Sequence, residues 1–300
     1  MAVNAGRASS APWLALGAIA LWGTLAWLGV RLATVPPFLL VGTALTAAGL
    51  LASPTWRQWR VPASALALGV YGLFGFHFFL FIALRLAPPL QANLVNYLWP
   101  LLIVVLAPLF VADARLSRGH VVGALLGLAG ALLAITGGRL PDVGDADGAG
   151  RLHAIGYGAA LLSAFVWATY SLQGQRLRRA GVVFPTAAVG LFCLVSGLLS
   201  LLCHALLEAP YRFGAGDVVP LAALAIGPMG LAFFLWDAAL LRGDARTIGT
   251  LAYLTPLVST VVLAVGRGDP LRWPIAVALL LVVGGAAIGA RAPRRIAAGR

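Results

Sequence analysis

Long apolar stretches separated by short polar breaks run along almost the whole 300-residue chain. They predict ten helices, over 12–33, 37–52, 61–86, 90–111, 119–137, 152–174, 184–206, 218–241, 247–266 and 271–291. A helix needs about 20 mainly apolar residues to cross roughly 30 Å of hydrocarbon. Ten such segments with short turns use up the chain and leave no room for a soluble domain. Prolines punctuate the breaks: Pro36-Pro37, Pro54, Pro62, Pro88-Pro89, Pro185, Pro220 and Pro270 lie in or beside them, where a missing N–H costs least. The longest break, Gly138–Gly150, is polar and glycine-rich. The pattern therefore divides into a five-helix segment over 12–137, a linker over 138–151, a second five-helix segment over 152–291 and a basic tail over 292–300.

The second five helices repeat the first. Ala83–Leu101 (ALRLAPPLQANLVNYLWPL) aligns without a gap on Ala239–Leu257 (ALLRGDARTIGTLAYLTPL), with Tyr97/Tyr253, Leu98/Leu254 and Pro100/Pro256 in register. Trp22-Gly-Thr in the first helix answers Trp167-Ala-Thr in the sixth. Five is odd, so the second copy must cross the membrane in the opposite sense. An inverted repeat is how many secondary transporters build one midplane site with two alternative openings.

Composition agrees: 61% of residues are hydrophobic and 10% charged, against roughly half and a quarter in a soluble domain. The first apolar stretch lacks a small-residue cleavage site and is expected to be a retained helix. The net charge of +12 would suggest nucleic acid in a soluble protein. Here the basic residues, all arginine, cluster at helix ends, so no nucleic-acid partner is expected. Placing both termini in the cytoplasm puts fourteen of the 21 arginines on the inner side and seven on the outer. Cys193 and Cys203 lie ten residues apart on one helix. That is about 15 Å, too far for a disulfide. Gly123-x-x-x-Gly127 and Gly285-x-x-x-Gly289 let helices approach closely. They are read as internal packing, with a monomer expected over a dimer.

Candidate chemistry concentrates in the fourth helix. Asn93, Asn96, Tyr97 and Pro100 stand at i, i+3, i+4 and i+7 and share one face. Carboxamides are costly in a bilayer unless they face protein or water. Pro100 cannot donate to the carbonyl of Asn96, nor Pro256 to that of Ala252, so both helices are expected to bend and free a mid-membrane oxygen. Trp22, Trp99, Trp167, Tyr170 and Tyr253 add mid-depth aromatic groups whose N–H or O–H wants a partner. Two readings stand for this set: lining of a cavity walled by the first, third, fourth, sixth, eighth and ninth helices, or plain helix packing. His77 is either a proton-handling group or a neutral imidazole bonded to a neighbouring helix. Asp237 is expected to pair with Arg242 or Arg246. The chain lacks HExxH, GxSxG, a P-loop and any Cys/His metal cluster. No metal, cofactor or enzymatic activity is expected, which counts against the remaining alternative of an intramembrane enzyme.

Ten helices as five plus five, Trp22-Gly and Trp167-Ala, and the proline-bearing fourth and ninth helices resemble the drug/metabolite transporter superfamily, in its ten-helix EamA-type branch. The run of His77, Asn93, Tyr97-Leu-Trp99-Pro100 and Trp167 is similar to its bacterial aromatic amino-acid exporters. That resemblance implies a basket of helices around a central cavity and export of an amino acid across the inner membrane. It also implies substrate contact at Trp22, His77, Tyr97, Trp99 and Trp167. Another metabolite or a lipophilic cationic drug is the alternative substrate, although the first helix carries no carboxylate to hold a cation.

Overall fold

A computed structural model describes residues 2–111, 116–138, 150–182, 184–268, 270 and 273–291. Most of the expected 138–151 linker and the 292–300 tail therefore lie outside the described residues. Among the described residues, eight helices are long and apolar enough to cross a membrane: α1 Ser10–Arg31, α3 Ala63–Leu86, α4 Pro89–Phe110, α5 Arg118–Thr136, α6 Gly150–Arg179, α7 Thr186–Leu207, α8 Ala215–Arg242 and α9 Ala245–Gly266. The other two expected spans are shorter apolar helices, α2 Pro37–Leu51 and α10 Trp273–Gly289. At 1.5 Å per residue α2 reaches only about 22 Å, because Ser53-Pro54 turns the chain into a 3₁₀ segment, Ser53–Gln58.

Local chemistry sets the ends. Pro37 and Pro89 open α2 and α4, where their missing N–H has no helical partner to lose. Ser117 caps α5 in a reciprocal box with His120, and the Asp244 carboxylate caps α9 through the N–H of Arg246. Gly137 and Gly268 close α5 and α9 in the left-handed conformation, φ 62° and 71°. On the outer helix surfaces, residues such as Leu109, Val219 and Leu280 are about three-quarters exposed. A bilayer would cover them.

The packing keeps the repeat's symmetry. If α1–α5 are exchanged for α6–α10, each major contact maps onto another or onto itself. α2 lies along α7, α5 along α10, and α4 crosses α9. α1 against α8 matches α6 against α3, and α4 on α6 matches α9 on α1. The glycine motifs lie within the chain: a Cβ on Gly123 would collide with the carbonyl of Gly285, and one on Gly285 would stand 2.5 Å from the carbonyl of Gly123. Bonds at the helix ends sort the termini onto two faces. Ser10 meets Arg242 on one, and Thr34 meets Tyr211 while Arg85 meets Glu208 on the other. α1 begins on the first face and α6 on the second.

Five of these helices are interrupted at mid-depth. α1 breaks at Thr24, α4 at Tyr97-Leu98 and α9 at Ala252-Tyr253. α3 and α8 each carry a π-turn, Tyr71–Gly75 and Gly227–Leu231, at equivalent places in the two halves. A π-turn sets a backbone carbonyl outside the regular ladder and often marks a functional position.

Candidate functional site

Four indoles fill the crossing of the two halves. Trp22 comes from α1, Trp99 from α4, Trp167 from α6 and Trp236 from α8. All six pairs are in ring contact, with centroids 5.3–6.5 Å apart. Most meet edge-on, the arrangement the ring quadrupole favours, while Trp167 and Trp236 stack at 30°. Phe233 touches Trp22 and Trp167, and Phe76 and Tyr170 touch Trp167. Trp236 was not among the sequence candidates. Its flank by Asp237 reads as a helix end.

The broken helices hold this cluster through their irregular turns. Trp22 Nε1 donates to the carbonyl of Pro228 (3.1 Å) in the π-turn of α8. His77 Nδ1 lies 2.6 Å from the carbonyl of Leu73 in the π-turn of α3. A carbonyl can only accept, so Nδ1 carries the proton and Nε2 is left as an acceptor. The bond of His77 is thus within its own helix and not to a neighbouring one. Gly72 in the same π-turn faces the ring of Tyr170, which a Cβ there would overlap. Trp236 Nε1 donates to Ser171 Oγ (3.2 Å), and the Tyr71 and Thr169 hydroxyls share a bond of 2.8 Å.

The remaining sequence candidates divide. Asn96 is buried on α4, and its Oδ1 has no hydrogen-bond partner. Asn93 and Tyr97 are half-buried on the same helix. Tyr253 stands apart from the indoles: it is fully buried with Val104, Ala124, Ala131 and Val282, its ring against Gly127. Pro100 is the second residue of the helical segment that resumes after the break in α4. At Pro256 the expected free carbonyl is taken, since Thr255 N–H donates to Ala252 O (3.0 Å). The backbone tightens there into a three-residue turn that recovers the acceptor.

Charge near the cluster is also placed differently from expectation. Asp237 pairs with neither Arg242, which reaches Ser10, nor Arg246, which pairs with Asp244. Its partner is Arg178 at the end of α6, whose Nη2 stands 2.8 and 2.9 Å from the two carboxylate oxygens. Asp237 lies about one turn before the end of α8, and the arginine that reaches it comes from α6. The Thr186 hydroxyl donates to Asp237 (2.7 Å), and the Arg178 guanidinium lies 4.1 Å over the ring of Phe184. Among the described residues no three His, Cys, Asp or Glu side chains converge on a metal position.

An EamA-like transporter family profile matches this chain twice, over residues 9–136 and again over 154–290. The chain belongs to that family. It is similar over 294 residues (41% identity, 96% of this chain and 99% of the relative) to an aromatic amino acid exporter, YddG, of Ancylobacter novellus. The YddG exporter of Escherichia coli K12 is 26% identical over 207 residues, covering 69% of this chain and 68% of the relative. A threonine/homoserine exporter, RhtA, of the same strain is 30% identical over 237 residues, covering 78% and 74%. A solved crystal structure superposes with a TM-score of 0.83 at 39% identity, covering 93% of this chain and 97% of the other. The protein is thus a multi-pass membrane transporter of the EamA family.

Proposed function

We propose that this transporter exports amino acids, preferring aromatic ones, across a bacterial inner membrane by alternating access, with both termini in the cytoplasm. The observation that carries the reading is the four-indole cluster, one ring from each of α1, α4, α6 and α8. An aromatic side chain entering there exchanges ring–ring contacts for equivalent ones. A small side chain would leave the rings unfilled. Each such pair is worth about 0.5–1.5 kcal/mol beyond its buried area.

The substrate's polar end needs dipoles at the same depth. The unpartnered Asn96 Oδ1 is an acceptor for an ammonium group, and Asn93, the Tyr97 hydroxyl and His77 Nε2 complete the set. Two five-helix units, 12–137 and 152–291, joined by 138–151, would rock about this point. The breaks beside Pro100 and Pro256 would let half-helices swing separately. The transporter family and its exporter relatives count against an intramembrane enzyme. Similarity to a threonine/homoserine exporter favours small polar amino acids as the second reading.

The test is exchange of radiolabelled phenylalanine in proteoliposomes, challenged with unlabelled tryptophan, threonine and a lipophilic cation. Phenylalanine flux displaced mainly by tryptophan is expected. Flux displaced equally by the cation, or no flux of any amino acid, would refute the proposal.

A further inference from the structure

We infer that Arg178 and Asp237 form a second recognition site on the face where α6 and α8 end, taking the α-carboxylate and α-ammonium groups of the substrate. This rests on the reading above that the cargo is an amino acid. The pair lines a narrow cleft with Tyr170, Phe184, Phe192 and Trp236. Trp236 belongs to the indole cluster and Tyr170 touches Trp167, so the cleft leads to the centre of the molecule. As it stands it has room for about one water. This is a closed entrance whose lining already has the composition of an aromatic amino-acid site.

Three observations make the ion pair more than a structural tie. Both side chains are deeply placed, with 11% and 8% of their side-chain surface exposed. The Nε–H of Arg178 is buried and has no acceptor, so the guanidinium has an unused donor beside the one given to Asp237. Neither group is held by the cap of its own helix, and the contacts cross from α6 to α8 and to Thr186 at the start of α7. A buried pair broken on one side leaves an uncompensated charge, which is strongly unfavourable. A zwitterion can part this pair without that penalty. Its carboxylate takes the Arg178 fork, including Nε–H, and its ammonium takes the Asp237 carboxylate. Every charge is again partnered while α6 and α8 move apart. A cation alone, or an anion alone, leaves one protein charge orphaned. The pair thereby selects zwitterions and couples their arrival to opening of this face.

The experiment is competition against labelled phenylalanine in proteoliposomes by phenylalanine, phenethylamine (ammonium only) and 3-phenylpropionate (carboxylate only), in wild type, Asp237→Asn and Arg178→Gln. In wild type, phenylalanine should outcompete either single-charge analogue by more than about tenfold. Asp237→Asn should lower phenylalanine flux at least about tenfold and shift the analogue ranking towards 3-phenylpropionate. Arg178→Gln should shift it the opposite way, towards phenethylamine. A pair that only tied helices together would lower flux with no such reciprocal change, and that result overturns the inference. If either variant fails to fold, judged by gel filtration, the wild-type ranking decides: an analogue that competes as well as phenylalanine overturns it. Wild type that transports other amino acids but not phenylalanine is assayed with its own cargo and the matching analogues. Wild type that transports no amino acid fails the parent reading, and this inference with it.

Discussion

Trp22 shows how much one side chain carries. Its ring touches three other indoles and Phe233, and its N–H spans from α1 to the π-turn carbonyl of α8. Trp22→Phe keeps most of the ring packing and removes the donor. It should lower stability by about 1 kcal/mol, read as a fall in unfolding temperature in detergent. An unchanged temperature would mean that the bond contributes nothing. Trp22, Trp99 and Trp167 were legible in the sequence because an indole at mid-span has no interface to occupy. Trp236 was not, since the adjacent Asp237 makes that turn look like a solvated helix end. Nothing in the residues near Asp237 on α8 points to Arg178, because that partner arrives by tertiary packing from a helix 59 positions earlier.

The elements repeat the lesson at larger size. Apolar runs and prolines mark the helices to within a few residues, and Tyr97/Tyr253 with Pro100/Pro256 mark the interrupted α4 and α9. The paired π-turns were not legible. An extra residue in a turn alters hydrogen bonding without altering hydrophobicity, and only Gly72, Gly75, Gly227-Pro228 and Gly230 hint at them. Pro100→Ala restores an N–H that an unbroken α4 would direct to the Asn96 carbonyl, and should straighten α4. Transport should then fall several-fold while the unfolding temperature holds or rises. Unaltered transport would show that the break is not used for movement. On the opposite face Glu208 ties three helices. Its carboxylate accepts from Phe38 N–H and Leu39 N–H at the start of α2, and pairs with Arg85 of α3 and His204 of α7. Glu208→Ala leaves all four donors without this acceptor, and should cost about 3 kcal/mol, measured by chemical denaturation. A loss under about 0.5 kcal/mol would reduce it to a surface pair.

Across the whole molecule, an odd number of helices per repeat places one half upside down on the other. The central aromatic cluster is therefore built from equivalent but non-identical parts. α1 is broken beside Trp22, whereas α6 runs unbroken past Trp167. The ion pair Arg178–Asp237 at one face and the Glu208 hub at the other have no mutual counterpart either. Such asymmetry gives the two faces different chemistry around one shared aromatic cluster. The central claim is that this centre selects the substrate's side chain. Its most direct test is the ratio of labelled phenylalanine to labelled threonine transported by wild type and by the Trp99→Ala and Trp167→Ala variants in proteoliposomes. A wild-type ratio well above one that falls towards one in both variants, with threonine flux largely kept, is the predicted result. A ratio that the alanine variants leave unchanged, or a wild type that carries threonine as readily as phenylalanine, would contradict the account.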